Sequence, residues 1–214
     1  MLSVGAPISR HRRYGCGTLL ADGRLFVNGG TAASANVLDG GAHLTSEIWD
    51  PATGEWTEAA AATISRLYHS NAILMPDATV LTGGGGLPGP LKNNNAEIYY
   101  PPYLFSTDGS GNPAPRPSID TQAISLGWDQ PFTVAVLASE KPIARVTLVR
   151  SSTATHAFNN GQRFQEMPFT VAEDGSLLLQ TPASPILAPA GSYLVFAIDA
   201  DGVPSVAKMV RIVA

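Results

Sequence analysis

The chain has 214 residues, is rich in Gly (21) and Pro (17), carries only 14% Asp, Glu, Lys and Arg, and is 44% hydrophobic. So many helix breakers exclude long helices and coiled coils, and low charge with a normal apolar fraction excludes a disordered chain. A net charge of −4, with no cationic cluster beyond Arg10, His11, Arg12 and Arg13, excludes phosphate-dominated binding, so no nucleic acid partner is expected.

The longest apolar runs, such as Tyr193 to Ile198, are far below the ~20 residues of a membrane span. Met1 to Ile8 lack the pattern of a secretory leader. The lone Cys16 excludes an intrachain disulfide and a cysteine zinc cage.

The first hundred residues contain a repeat. One copy runs from Arg12-Arg13-Tyr14 through Thr18-Leu19-Leu20-Ala21-Asp22-Gly23-Arg24-Leu25-Phe26-Val27-Asn28-Gly29-Gly30 to Glu47-Ile48-Trp49-Asp50-Pro51. The other runs from Arg66-Leu67-Tyr68 through Ala72-Ile73-Leu74-Met75-Pro76-Asp77-Ala78-Thr79-Val80-Leu81-Thr82-Gly83 and three further Gly to Glu97-Ile98-Tyr99-Tyr100-Pro101. The offset of about 50–55 residues fits the kelch repeat, one four-stranded propeller blade per copy. Each copy reads as an apolar strand, a tight turn, a second strand ending in Gly-Gly, and a third strand with Glu-Ile-aromatic. Trp56 fits a blade-closing aromatic. Ala78 stands where the first copy has the turn glycine Gly23, so the second turn is a weaker match.

Gly109 to Pro117 read as a linker, because proline stiffens extended chain and stays out of sheet interiors. Beyond it, short strands are predicted at Phe132–Leu137, Ala144–Arg150, Leu177–Gln180, Ser192–Ile198 and Ser205–Val213, separated by turn clusters such as Glu173-Asp174-Gly175 and Asp201-Gly202. About a hundred residues of short strands without a helical pattern predict an immunoglobulin-like sandwich. The fold class is therefore all-β: blades over 1–108, a Pro-rich linker over 109–118, and a sandwich over 119–214.

Four histidines are candidates for chemistry: His11, His43, His69 and His156. Alone they are weak signals, since loop histidines are commonly solvated polar residues. Their context is stronger. Arg66-Leu67-Tyr68-His69-Ser70, the glycine string at 83–86, Ala96-Glu97-Ile98-Tyr99, Pro101-Pro102-Tyr103-Leu104-Phe105, Arg116-Pro117-Ser118-Ile119, Thr153-Ala154-Thr155-His156 and Gly202-Val203-Pro204-Ser205 follow one another in register. This order resembles the C-terminal part of the copper radical oxidases, the galactose oxidase and glyoxal oxidase family.

The resemblance implies a kelch propeller followed by an immunoglobulin-like early set domain, whose hairpin carries a histidine, here His156, to a copper ion. It implies that Tyr68 is an axial phenol and His69 an equatorial imidazole, so that Tyr68, His69 and His156 form the metal set. It also makes Tyr68 the acceptor of the substrate proton, a general-base role. Imidazole and oxygen donors suit Cu(II). Adjacent strand residues point to opposite faces, so Tyr68 and His69 meet one ion only at a strand mouth or turn. The plain structural alternative is that Tyr68 packs in a blade hairpin and His156 caps a loop. Arg66 reads as a residue that hydrogen-bonds blade backbone.

The family's oxidant is a second tyrosine joined to a cysteine, under a tryptophan, all from earlier blades; none has a counterpart here. Cys16 lies near Tyr14 but reads as a small buried apolar residue. Trp49 and Trp56 read as blade packing and Trp128 as sandwich packing. The expected reading is the C-terminal part of a primary alcohol or aldehyde oxidase producing hydrogen peroxide, inactive alone. A non-catalytic carbohydrate- or protein-binding module is the alternative. Small alcohols, aldehydes or carbohydrates are the implied partners, and the family implies secretion. Two blades are too few for a closed propeller, which takes roughly four to eight, so upstream blades or self-association at strand edges are expected.

Overall fold

A computed structural model describes residues 5–34 and 40–214; part of the Met1–Ile8 stretch lies outside the described residues. The strands, in chain order, are β1 (Arg13–Leu19), β2 (Leu25–Thr31), β3 (Thr45–Trp49), β4 (Trp56–Ala61), β5 (Ser70–Leu74), β6 (Val80–Gly84), β7 (Ala96–Tyr99), β8 (Ser118–Asp120) and β9 (Ser125–Leu126). They continue as β10 (Pro131–Ala138), β11 (Ile143–Arg150), β12 (Ala154–Thr155), β13 (Phe158–Asn159), β14 (Phe164–Glu166), β15 (Phe169–Val171), β16 (Leu177–Gln180), β17 (Gly191–Asp199) and β18 (Lys208–Ile212). The only helical element among the described residues is a 3-10 turn at Pro102–Leu104. Among the described residues no helix is long and apolar enough to cross a membrane.

The chain packs as two units. The first comprises Met1–Leu74, Val80–Tyr99 and Ser152–Gly161; the second comprises Met75–Thr79, Tyr100–Ser151 and Gln162–Ala214.

In the first unit, β1-β2-β3-β4 form an antiparallel meander, β5-β6-β7 a second one, and β12-β13 a two-stranded hairpin. Both copies of the sequence repeat thus form antiparallel meanders, but the first has four strands and the second three, where four were expected in each. Asp22-Gly23 supplies the β1–β2 turn, with Gly23 at φ 92° and its N–H donating to Leu20 O at 3.1 Å. Leu20, Phe26, Leu67, Ala72 and Val80 are buried. Phe26 stacks on Tyr99 at 4.2 Å, and burial, opposed by the charge of Arg24, pushes the Tyr99 phenol up to about 12. Trp49 and Trp56 face each other across β3 and β4.

Each copy is held by a buried arginine. Arg12 Nε donates to Glu47 Oε2 at 3.0 Å, Nη1 to Gly29 O at 2.8 Å and Nη2 to Thr45 O at 2.6 Å. In the second copy, Arg66 Nη1 donates to Gly84 O at 3.1 Å and Asn95 O at 3.2 Å, and Nη2 to Glu97 Oε2 at 2.9 Å. The remaining carboxylate oxygen accepts the main-chain N–H of Ser9 in the first copy and of Thr63 in the second. One pattern therefore ties the strand entry, the glycine-ended strand and the third strand together, twice. Arg66 is a scaffold residue, as its sequence context indicated.

In the second unit, β15-β16-β10-β8 and β14-β11-β17-β18-β9 face each other as a sandwich. Ladders within both sheets are antiparallel except β9 with β18. Along β10, Phe132 and Val134 are buried while Pro131 and Thr133 are exposed, the alternation of a strand with one wet face. The core draws Phe132, Val134 and Leu177 from one sheet and Val146, Tyr193 and Val210 from the other. Trp128 packs against it and donates its indole N–H to Ala188 O.

The Pro-rich stretch is pinned in this unit: Ala114 N–H donates to Leu104 O, and Arg116 donates to Pro204 O at 2.7 Å, Ser205 O at 2.7 Å and Asp77 O at 2.8 Å. Three motifs far apart in sequence are thus one hydrogen-bonded knot. The turn at Asp77-Ala78 belongs to it. Ala78 takes φ 66°, a conformation that costs a non-glycine residue about 1–2 kcal/mol. Its N–H donates to Met75 O, and its carbonyl accepts the Tyr103 hydroxyl at 2.7 Å. Tertiary hydrogen bonds here override the weak turn chemistry.

Burial works to raise the Glu47 carboxyl, but hydrogen bonds from Ser9 and Arg12, with the Arg12 charge, outweigh it and hold the carboxyl below its ordinary value. Its stabilising contribution is therefore complete above the free-chain pKa of about 4.3 and is lost as pH falls through the lower folded-state value. Glu47→Gln should flatten this acid limb in pH-dependent chemical denaturation. Glu47→Ala, which strands Arg12 at 3% side-chain exposure, should cost about 3–5 kcal/mol at neutral pH.

Candidate functional site

Three of the singled-out side chains meet in the first unit. Tyr68 and His69 occupy a turn between Leu67 and Ser70, closed by Ser70 N–H donating to Leu67 O at 2.9 Å. This is the geometry that the adjacent pair requires, since a strand would send the rings to opposite faces. His69 has φ 67°, which swings its ring toward that of Tyr68; the two stack at 4.0 Å. His156 comes from the tip of the β12–β13 hairpin, at φ 54°. Its ring lies 4.6 Å from His69 and 5.8 Å from Tyr68. The hairpin tip is fixed by Ala157 N–H donating to Ser70 O at 2.8 Å.

Tyr14, the repeat counterpart of Tyr68, adds a fourth ring at 4.9 Å from Tyr68. Six described non-glycine residues have φ above zero, and Tyr14, His69, His156 and Ala157 are four of them. Such strain persists only where the surroundings over-determine it, and it gathers at functional sites.

Each imidazole has one nitrogen engaged. His69 Nδ1 lies 3.1 Å from Leu87 O, so that nitrogen carries the proton and Nε2 is left with its lone pair. His156 Nδ1 lies 2.6 Å from Thr155 Oγ1. When Nδ1–H donates to that hydroxyl, Nε2 is again the basic nitrogen. A hydrogen bond fixing the tautomer and aim of an imidazole is the usual companion of a metal-ligating histidine. Tyr68 and His69 are half-buried and His156 is exposed, so the set is open to a small molecule on one side.

The main chain around Tyr68 is gripped from two directions. Gly86 N–H donates to Tyr68 O at 2.9 Å, and Gly30 N–H donates to Arg66 O at 2.7 Å. At Gly29, with φ 65°, a Cβ would lie 2.5 Å from Arg66 O; at Gly30, with φ 81°, a Cβ would lie 2.9 Å from both Arg13 O and Gly15 N. The backbones carrying Tyr14 and Tyr68 come this close only because both intervening residues lack side chains.

The other candidates fall outside this set. His43 Nε2 contacts His11 O, away from any second ligand-bearing side chain among its hydrogen-bond partners. Cys16 is buried, its thiol 3.8 Å from Ser70 O, and burial pushes its pKa up. A cavity of 520 Å³ in the second unit, lined by Asp120, Ile124, Leu126, Phe132 and Thr133 among others, includes no His, Cys or Tyr. Sequence reading left out Tyr14 as a member of the cluster. The signal was its repeat equivalence to Tyr68.

Comparison with known proteins follows the same lines. Residues 116–212 match the family described as "Galactose oxidase-like, Early set domain". Galactose oxidase of Gibberella zeae is 33% identical over 208 residues, 94% of this chain and 29% of that protein. Residues 116–212 belong to the galactose oxidase-like early set family. Aldehyde oxidase GLOX of Vitis pseudoreticulata is 31% identical over 168 residues, 71% of this chain and 31% of the relative. A fungal alcohol oxidase solved in complex with copper superimposes with a TM-score of 0.92 at 32% identity, over 98% of this chain and 44% of the solved one. The chain therefore spans about a third of the length of the curated relatives it matches.

Two outcomes follow from the site's construction. Gly29→Ala should lower stability by about 3 kcal/mol or more, through a strained φ and a backbone clash together, as read by chemical denaturation. Cys16 should resist thiol reagents at neutral pH in the folded protein and react at once on unfolding.

Proposed function

We propose that this chain is the C-terminal part of a copper oxidase like galactose oxidase or glyoxal oxidase. In this reading residues 1–108 are kelch blades of a propeller, 109–118 the linker and 119–214 the early set domain. The parent reaction converts a primary alcohol or an aldehyde, with O2, to the oxidised product and hydrogen peroxide. Substrates are small alcohols, aldehydes or carbohydrates, and the protein works outside the cell. Upstream blades, or a second copy, would pair with the exposed strand edges.

One observation carries the reading: the rings of Tyr68, His69 and His156 lie 4.0–5.8 Å apart, with Nδ1 of each imidazole already engaged. Two imidazole nitrogens and a phenol oxygen are a donor set that suits Cu(II), so Tyr68, His69 and His156 are the residues that would hold the ion. When bound, copper supplies electron acceptance and polarisation of the substrate oxygen. Oxidation of an alcohol removes two electrons and Cu(II) accepts one, so the second acceptor would come from outside this chain, which supplies the base and the positioning. Held on the ion as a phenolate, Tyr68 would take the hydroxyl proton of the alcohol as general base and become the phenol. Leu87 O and Thr155 Oγ1 aim the two imidazoles. The exposed His156 side admits the substrate, and the half-buried Tyr68 side limits water.

Nothing in the chain corresponds to the family's cysteine-linked radical tyrosine, since Cys16 is buried against Ser70. By itself the chain should bind copper without turning over. Titration with Cu(II), followed by EPR, should show nitrogen-coordinated copper, and the double variant His69→Ala/His156→Ala should abolish it. An affinity unchanged in the double variant refutes the metal reading and leaves the non-catalytic binding module. Steady peroxide formation from the isolated chain and an aldehyde refutes the inactivity.

A further inference from the structure

We propose that Tyr14 is a positioning residue of the same site, which holds the Tyr68 ring at the angle its phenol needs. The proposal rests on the copper reading above, but its observations are independent of it. Tyr14 stands in the first copy of the repeat where Tyr68 stands in the second. The two rings meet at 4.9 Å with planes tilted by 57°, a favoured arrangement for an aromatic pair. Tyr68 is therefore in ring contact both with His69, stacked at 4.0 Å, and with Tyr14.

Tyr14 is itself fixed. Arg13 places its guanidinium 5.0 Å from the Tyr14 ring centroid and donates Nη2–H to the Tyr14 hydroxyl at 3.3 Å. The Tyr14 backbone is in the left-handed region, at φ 62°. A bulky aromatic residue rarely adopts that conformation, and a surface ring would relax out of it. Here it is maintained because Arg13 O and Gly15 N, on either side, press against Gly30. The next glycine along, Gly29, presses against Arg66 O, two residues before Tyr68. One glycine pair thus sets both tyrosine backbones, and the ring contact completes the link.

A double-mutant cycle on Cu(II) affinity in the full chain tests this, with thermal stability read alongside. Tyr14→Ala should weaken copper binding about 10–100-fold, the range of groups that orient ligands from behind. Tyr14→Phe, which keeps the ring, should stay within about threefold of the parent. In a Tyr68→Phe background, Tyr14→Ala should change affinity by less than about threefold, because the phenol that it positions is gone. Equal weakening in both backgrounds, or none in either, overturns the proposal. Tyr14→Leu replaces Tyr14→Ala where the alanine variant does not fold. If the parent chain binds no copper, the reading under Proposed function fails by itself. The positioning claim is then decided on metal-free protein by NMR. Displaced Tyr68 and His69 ring resonances in Tyr14→Ala, recovered in Tyr14→Phe, support it, and unmoved resonances overturn it.

Discussion

Two backbones approach closely at Gly29-Gly30, where one strand end meets Arg66 O on one side and the Arg13–Gly15 segment on the other. Everything about the ring cluster depends on it. A Cβ at Gly29 would clash with Arg66 O at 2.5 Å and one at Gly30 with Arg13 O at 2.9 Å, so a side chain at either position would displace the segments that carry the two tyrosines. The two arginine–glutamate clamps bind the ends of the glycine-ended strands. Arg12 bonds to Gly29 O and Arg66 to Gly84 O, so each glycine-ended strand is anchored by a buried cation before it reaches the site. The repeat is thus a device for bringing two similar entry segments side by side, with the sites of their tyrosines in contact.

The two buried ion pairs also show how electrostatics is handled in a chain with few charges. Glu47 and Glu97 each accept from an arginine and from a main-chain N–H, and for both the hydrogen bonds overcome the burial that would raise the carboxyl. Buried charge of this kind adds little net stability when complete and costs much when broken. Its value here is geometric. The fork of an arginine has a fixed shape, so it specifies which three backbone strands meet and in what register.

Much of this was legible from residues. The alternation at Phe132–Leu137 and the run Ser192–Ile198 appear as β10 and β17 with ends shifted by a residue or so. Asp22-Gly23 makes the turn that its chemistry specifies. Tyr68, His69 and His156 were marked by motif order, and their rings converge, but the convergence itself could not be read from spacing. It depends on the chain leaving the sandwich after Ser151 for a ten-residue excursion that packs with the first unit. Local propensity carries no trace of such a long-range choice. The same holds at Ala78, where Tyr103 and Met75 stabilise a conformation that alanine disfavours. It holds again at Tyr14, whose positive φ of 62° accompanies the close approach of its neighbours Arg13 and Gly15 to Gly30. The kelch reading of the repeat belongs to the proposal, since the described sheets establish only two antiparallel meanders.

The hairpin that carries His156 is secured to the first unit by the main-chain hydrogen bond from Ala157 to Ser70 O. Its rings reach their partners only after the chain has closed a loop from residue 69 to residue 156. Closing so long a loop carries an entropic cost that is repaid only when the contacts at its end are made. These ring contacts are therefore among those made at a large loop-closure cost. The unfolded chain contains the same residues yet has no such set. Anything that binds these three side chains together acts as a clasp between distant parts of the sequence.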